Sequence, residues 1–321
     1  MPATSRLTIA ILAAGLAMTG PAAFAADYPE RPVRILVSFP PGGSSDLVAR
    51  LLAEKLSGEL GQQFVVENKP GAAGTVAATE LKNAANDGYT LMLSNLTPFS
   101  VAPTRFPDTP YDPVEDFTHI AYIGAVHLGM FASPELGTPD MAAFTEKAKA
   151  EPGVLDFGSS GVGSWGHVFA VAFANEAGVE LSHIPYKGSG PMRLDFRAGV
   201  IPVIFDAVPQ NLPNVAEGNA IPLAVSATER LATLPDTPTF VELGYDIVAE
   251  NWLGISAPAG IDAKITGTLQ EALATALQSD DVVKQFDTWG IVRSDMSSEA
   301  FADYVAASAE SWAPLVKQAS E

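Results

Sequence analysis

The segment Phe39-Pro40-Pro41-Gly42-Gly43-Ser44-Ser45-Asp46 joins a β-rich run to a helical pattern. Gly42 and Gly43 let main-chain N–H groups come close to a bound molecule, and the helix start behind Ser44 adds partial positive charge. Together they make a seat for a carboxylate or phosphate, although any tight strand-to-helix turn has a similar composition. Gly158-Ser159-Ser160-Gly161-Val162-Gly163-Ser164-Trp165-Gly166-His167 repeats the arrangement with more hydroxyl groups. Its alternative reading is a flexible glycine connector. Asp206 ends the apolar run Val203-Ile204-Phe205, so its carboxylate falls at a strand's carboxyl end, where open α/β sheets bind ligands; it could equally cap a helix beginning near Pro209. Asn95 and Thr97 hold the analogous place after Thr90–Ser94, as hydrogen-bond donors or as plain turn residues.

Several chemistries do not fit these residues. The first loop lacks the spacing and the lysine of a phosphate-binding P-loop. Gly161, Gly163 and Gly166 match a dinucleotide fingerprint, but Tyr186-Lys187-Gly188 stands where that site needs an acidic residue. A hydrolase could be drawn from Ser160 or Ser164 with His167 or His183, yet Val162 occupies the place of a glycine in either version of Gly-x-Ser-x-Gly. Histidines 119, 127, 167 and 183 show no metal-ligand spacing, and the chain has no cysteine. No cofactor or metal is expected. With 37 acidic and 18 basic residues the net charge is −19, which disfavours nucleic acid and by itself suggests a cationic ligand.

The elements that position these loops alternate between strand and helix. Val33–Val37, a helix from about Ser45 and Phe64–Val66 form one unit; a helix over Thr75–Ala85 and strands at Thr90–Ser94 and His119–Ile123 continue it. A second set has strands Gly129–Ala132, Leu155–Phe157, Leu181–Pro185, Val203–Phe205 and Leu223–Ser226, with helices Met141–Ala150, Gly166–Gly178 and Pro191–Ala198. Trp252–Ala257 reads as a strand, and the chain then turns helical over Asp262–Ser279, Asp281–Thr288 and Ser298–Lys317. Such alternation predicts mainly parallel sheets covered on both faces. At the start, Arg6, the apolar run Leu7–Met18 and Ala23-Phe24-Ala25 read as a secretory leader over residues 1–25, the alternative being a buried N-terminal helix. Its removal takes Arg6 away and moves the charge from −19 to −20.

The opening Tyr28-Pro29-x-Arg31-Pro32, the loop from Phe39 to Gly43 with Asp46 and Ala49-Arg50, and Glu67–Ala72 resemble the Bug-type solute-binding receptors of tripartite tricarboxylate transporters. So do Asp87–Leu91, His183–Gly188, Leu234–Thr239 and Trp252-x-Gly254 to Pro258-Ala259-Gly260, in the same order. The resemblance implies a periplasmic-binding-protein-like α/β fold of type II: two α/β domains joined by two crossings, near His127–Gly129 and Glu250–Trp252. Residues 26–127 and 252–321 then form the first domain and 128–251 the second. It maps a ligand seat onto Gly42, Gly43 and Ser44, onto Asn95 and Thr97, onto Ser159, Ser160, Gly163, Ser164 and His167, and onto Asp206. Backbone amides and waters, rather than an arginine, are expected to hold the ligand carboxylate.

The function so implied is a monomeric periplasmic receptor that captures a small organic anion and delivers it to a tripartite tricarboxylate-type membrane permease. The anion would be a di- or tricarboxylate, an aromatic acid or a similar molecule. An exported serine hydrolase and a polyamine receptor are the competing readings. Trp165 and Phe99 flank the contact loops and either select a ligand tail or belong to the core.

Overall fold

The computed structural model describes residues 28–294 and 296–319, so the leader expected over residues 1–25 lies outside them. Nine strands form one sheet in the order β2-β1-β3-β9-β4-β7-β5-β6, with β8 also on β4. On one side β1 (Val33–Val37) pairs in parallel with β2 (Phe64–Asn68) and β3 (Thr90–Asn95). On the other, β5 (Asp156–Ser159) pairs in parallel with β6 (Ser182–Pro185) and β7 (Val203–Ala207). The centre is antiparallel: β4 (Phe117–Ala132) and β9 (Glu250–Pro258) run against each other and against their outer neighbours, including β8 (Ile221–Val225).

Sequence patterning divides β4 into two strands, whereas the structure makes it one of 16 residues. The reason is visible in Val126-His127-Leu128: no proline or polar turn interrupts the run, and all three residues are buried. β4 pairs with β9 as far as His127, opposite Glu250, and with β7 and β8 from Leu128 or Gly129 onward. The expected helix over Thr75–Ala85 ends at Lys82, because Asn83 to Gly88 hold turn-forming residues.

Helices cover the sheet. α1 (Ser44–Leu60) and α2 (Thr75–Lys82) flank the first half, and α3 is the short turn Ala102–Arg105. α4 (Met141–Ala150), α5 (Trp165–Ala177), α6 (Ser189–Arg197) and α7 (Val208–Ala216) belong to the second half. After β9 the chain returns as α8 (Ala263–Gln278), α9 (Asp280–Trp289) and α10 (Ser298–Gln318), with α8 against α1 and α10 against β4 and α3. α10 is pinned behind the first half by Ser308, whose hydroxyl accepts from Trp252 Nε1 at 3.1 Å and from Ser100 Oγ at 3.0 Å. Phe99 packs edge-on against Phe117 and His119 and tilted against Tyr111 and Trp252, fully buried, so the core reading of that residue applies.

Candidate ligand cleft

Asp46 organises the first loop. Its carboxylate accepts from the Gly42 N–H at 3.0 Å, from Asn68 Nδ2 at 3.0 Å and from Arg50 at 2.9 and 3.1 Å, while Asn68 also donates to the Phe39 carbonyl at 2.9 Å. Burial opposes the charge on Asp46, but the bonds from Arg50, Gly42 and Asn68 outweigh it and hold the carboxyl below its ordinary range. Gly42 adopts a φ of 89°, which only glycine takes without strain. The Gly42 amide therefore serves the loop itself. What remains open is the helix end: α1 starts after Gly43 with no side-chain cap, and Leu47 is the first residue whose N–H bonds back, to the Gly43 carbonyl.

Two more helices begin in the same way. α6 follows Gly188 and α7 follows Ala207, and neither first turn receives a side-chain cap. An inner cavity is lined by Gly43, Ser44 and Ser45 from α1, by Gly188 and Ser189 from α6, and by Asp206 and Ala207 ahead of α7. Thr97, Ser160, Trp165 and Asn251 complete its polar wall, against Phe39, Leu128 and Phe205. Three uncapped helix N-termini thus meet at one small space, and their partial positive charges add there.

Of the residues expected to contact a ligand, Gly43, Ser44, Thr97, Ser160 and Asp206 line this cavity. The others shape its walls. Asn95 donates to Ser38 Oγ at 2.9 Å and accepts from the Thr97 N–H at 3.1 Å. Ser159 bonds His183 Nε2 at 2.7 Å and the Gly161 carbonyl at 3.1 Å. Ser164 caps α5 by accepting from the His167 N–H at 3.3 Å, and the Gly163 N–H donates to His167 Nδ1 at 3.2 Å, which fixes the imidazole proton on Nε2. His167 stacks on His183 with ring centres 4.0 Å apart. Burial, then the nearby Arg105 cation, pushes His167 down to about 4; burial, His167 and Arg105 push His183 to about 4 as well. Among the described residues neither Ser160 nor Ser164 is hydrogen-bonded to an imidazole.

Asp206 does not cap α7, whose first flanking residue is Ala207. The carboxylate accepts from Ser189 Oγ at 2.7 Å and from Asn211 Nδ2 at 2.9 Å, and Arg193 Nη1 lies 3.5 Å away. Sequence reasoning missed Arg193 and Ser189 as parts of this wall, while Trp165, expected beside the loops, does line the cavity. Arg193 also donates to the Gly42 carbonyl at 3.1 Å, so it bridges the loop before α1 and the turn before α7. Trp165 is buried at the rim of the cavity, and its indole N–H has no hydrogen-bond partner. A second contact between the walls is Pro40 against Gly188, where a Cβ would fall 3.1 Å from the proline ring.

A cleft of this kind, between two halves of a sheet whose crossing strands change partners beneath it, defines the class of periplasmic solute-binding proteins. Residues 48–320 match the tripartite tricarboxylate transporter family receptor, and the chain belongs to that family. BugT of Bordetella pertussis is 36% identical over 293 residues, covering 91% of this chain and 90% of BugT. Among solved structures, a periplasmic transporter superposes with a TM-score of 0.87 at 34% identity, covering 90% of this chain and 97% of its own. The Rpa4515 protein of R. palustris, solved with adipate, gives 0.87 at 31% identity and coverage of 91% and 98%. MatC of Rhodopseudomonas palustris, solved with malate, gives 0.85 at 29% identity and coverage of 90% and 100%.

Proposed function

We propose that this chain is an exported, monomeric receptor that captures a small organic carboxylate in the cleft and hands it to a tripartite tricarboxylate-type permease in the membrane. The observation that carries the reading is the meeting of three uncapped helix N-termini at the inner cavity. The adipate and malate bound by two relatives support it. Each helix end contributes about 0.3–1 kcal/mol towards an anion, and micromolar affinity requires about 8 kcal/mol. Hydrogen bonds from desolvated donors such as the Trp165 indole, and burial of the ligand's apolar body, supply the rest.

In this reading residues 26–127 with 252–321 and residues 128–251 are two domains that close on the ligand. The Gly42–Arg193 and Pro40–Gly188 contacts belong to the closed form. Binding selects that form, and the permease reads it. The leader over residues 1–25 directs export to the periplasm and is then removed. The acidic surface does not oppose an anionic ligand, because backbone N–H groups are invisible to a count of charged side chains.

A thermal-shift screen of dicarboxylates, tricarboxylates, aromatic acids, amino acids and polyamines tests the proposal. A carboxylate at a hundred times its Kd should add about 2.7 kcal/mol to the unfolding free energy. Stabilisation by polyamines alone would overturn it, and so would ester hydrolysis that disappears in the Ser160→Ala or Ser164→Ala variant.

A further inference from the structure

The inner cavity opens into a larger one. The inner cavity measures about 60 Å³ and the outer about 610 Å³, and the two share Phe39, Pro40, Ser160 and Gly188. An apolar cavity of about 150 Å³ is enough for benzene. The inner space therefore fits a head group, and the outer one exceeds the needs of a single ring.

The outer walls differ in chemistry from the inner ones. Ala72, Ala73 and Phe106 stand on one side, Val162 and Tyr186 on the other, and Lys187 is the charged residue of the lining. Lys187 is exposed and takes part in no ion pair among the described residues. No carboxylate lines this space, in a chain whose acidic residues outnumber its basic ones two to one. The backbone on the first side runs through four successive residues at positive φ: Gly71 at 143°, Ala72 at 44°, Ala73 at 52° and Gly74 at 89°. Two alanines in the left-handed region are a local cost of about 1–3 kcal/mol each, and they form the wall of the space. A Cβ on Gly74 would fall 3.0 Å from Ser38 and 3.1 Å from Pro98, so this wall is packed hard against the loop behind it.

Resting on the carboxylate-receptor reading above, we infer that the ligand is amphipathic. A carboxylate head occupies the inner cavity, and an apolar body of at least ring size fills the outer one, with any second anionic group placed at Lys187. Compact hydrophilic acids such as citrate leave the outer cavity to water and forfeit its apolar contact.

Isothermal titration of the full mature chain with acetate, citrate, phenylacetate and 4-carboxyphenylacetate tests this inference. Phenylacetate should bind at least tenfold tighter than acetate and citrate, and 4-carboxyphenylacetate tighter still. Val162→Trp, at a half-exposed rim position, should narrow the ratio of phenylacetate to acetate affinity at least fivefold. Lys187→Gln should lower only the advantage of the second carboxylate. If citrate or acetate binds as tightly as the aromatic acids, or if Val162→Trp leaves the ratio unchanged, the inference is wrong while the carboxylate receptor stands. If no carboxylate binds, both fall.

Discussion

The Arg193 guanidinium donates to the Gly42 carbonyl at 3.1 Å while lying 3.5 Å from the Asp206 carboxylate, so one side chain of α6 touches both walls of the cleft. The bond to Gly42 joins the two walls, whereas the bonds of Asp206 to Ser189 and Asn211 stay within the second.

Arg193→Met should therefore weaken ligand binding about five- to twentyfold, the equivalent of about 1–2 kcal/mol for one charge-assisted bond. Arg193→Lys should recover part of the loss, because an ammonium reaches one acceptor but lacks the planar fork. Calorimetric affinities for one ligand across the three proteins check this. Equal affinities would remove the bridge from the energetics of closure.

Trp165 separates stability from binding. Trp165→Phe removes a buried N–H that has no partner in the free protein, so the unfolding free energy should stay level or rise. The same change should cost about fivefold to tenfold in ligand affinity, since the donor is then missing when the carboxylate arrives. Urea unfolding and titration of one variant give both numbers. A parallel drop in both would make Trp165 a packing residue.

Gly166 is held by geometry. A Cβ there would stand 2.4 Å from the Phe205 carbonyl oxygen, at the contact of α5 with β7 directly under the cleft. Gly166→Ala should destabilise the chain by about 1–3 kcal/mol, read as a lower urea midpoint, because backbone and not a flexible side chain must move.

These helix starts explain what could be read from the chain. The loops before α1 and α5 carry glycine and serine runs, and both read in the sequence as candidate ligand seats. The second turned out to be capped from within by Ser164. The starts of α6 and α7 carry the opposite signal: Gly188 before Ser189, and Ala207-Val208 before Pro209, offer no capping side chain. A helix that begins without Ser, Thr, Asp or Asn leaves its N–H groups to something else, and that absence could have marked both. Arg193 was beyond reach, since it lies 151 residues from Gly42 and only the fold brings the two together. The strand alternation was legible because apolar runs are short and bounded. The unbroken β4 was not, because a buried strand shows no periodicity with which to join its two ends.

Acid should destabilise both halves of the sheet. His167 and His183 are pushed to about 4, and burial, against a bond to the Pro113 carbonyl, puts His119 at about 4 too. The unfolded chain, with imidazoles near 6.5, binds more protons across that interval, so stability is full above pH 6.5 and falls as the pH drops towards 4. Asp46, held below its ordinary range, adds its own loss only at still lower pH. Urea midpoints at pH 7.5, 6 and 5 should descend in that order, and the ring signals of His167 and His183 should titrate well below 6.5. A flat profile would mean that both rings are open to water.

β4 passes without a break from beneath one wall of the cleft to beneath the other, with β9 alongside it as far as His127. Its pairing with β9 slips near Ala121 and again near Gly124, where φ is 155° and a Cβ would stand 2.8 Å from the Val292 carbonyl oxygen. A loop hinge swings freely, but a ladder-bonded ribbon has stiffness. Two paired strands, not two loops, join the walls here, so any relative twist of the walls would have to be taken up by the hydrogen-bonded ladder itself.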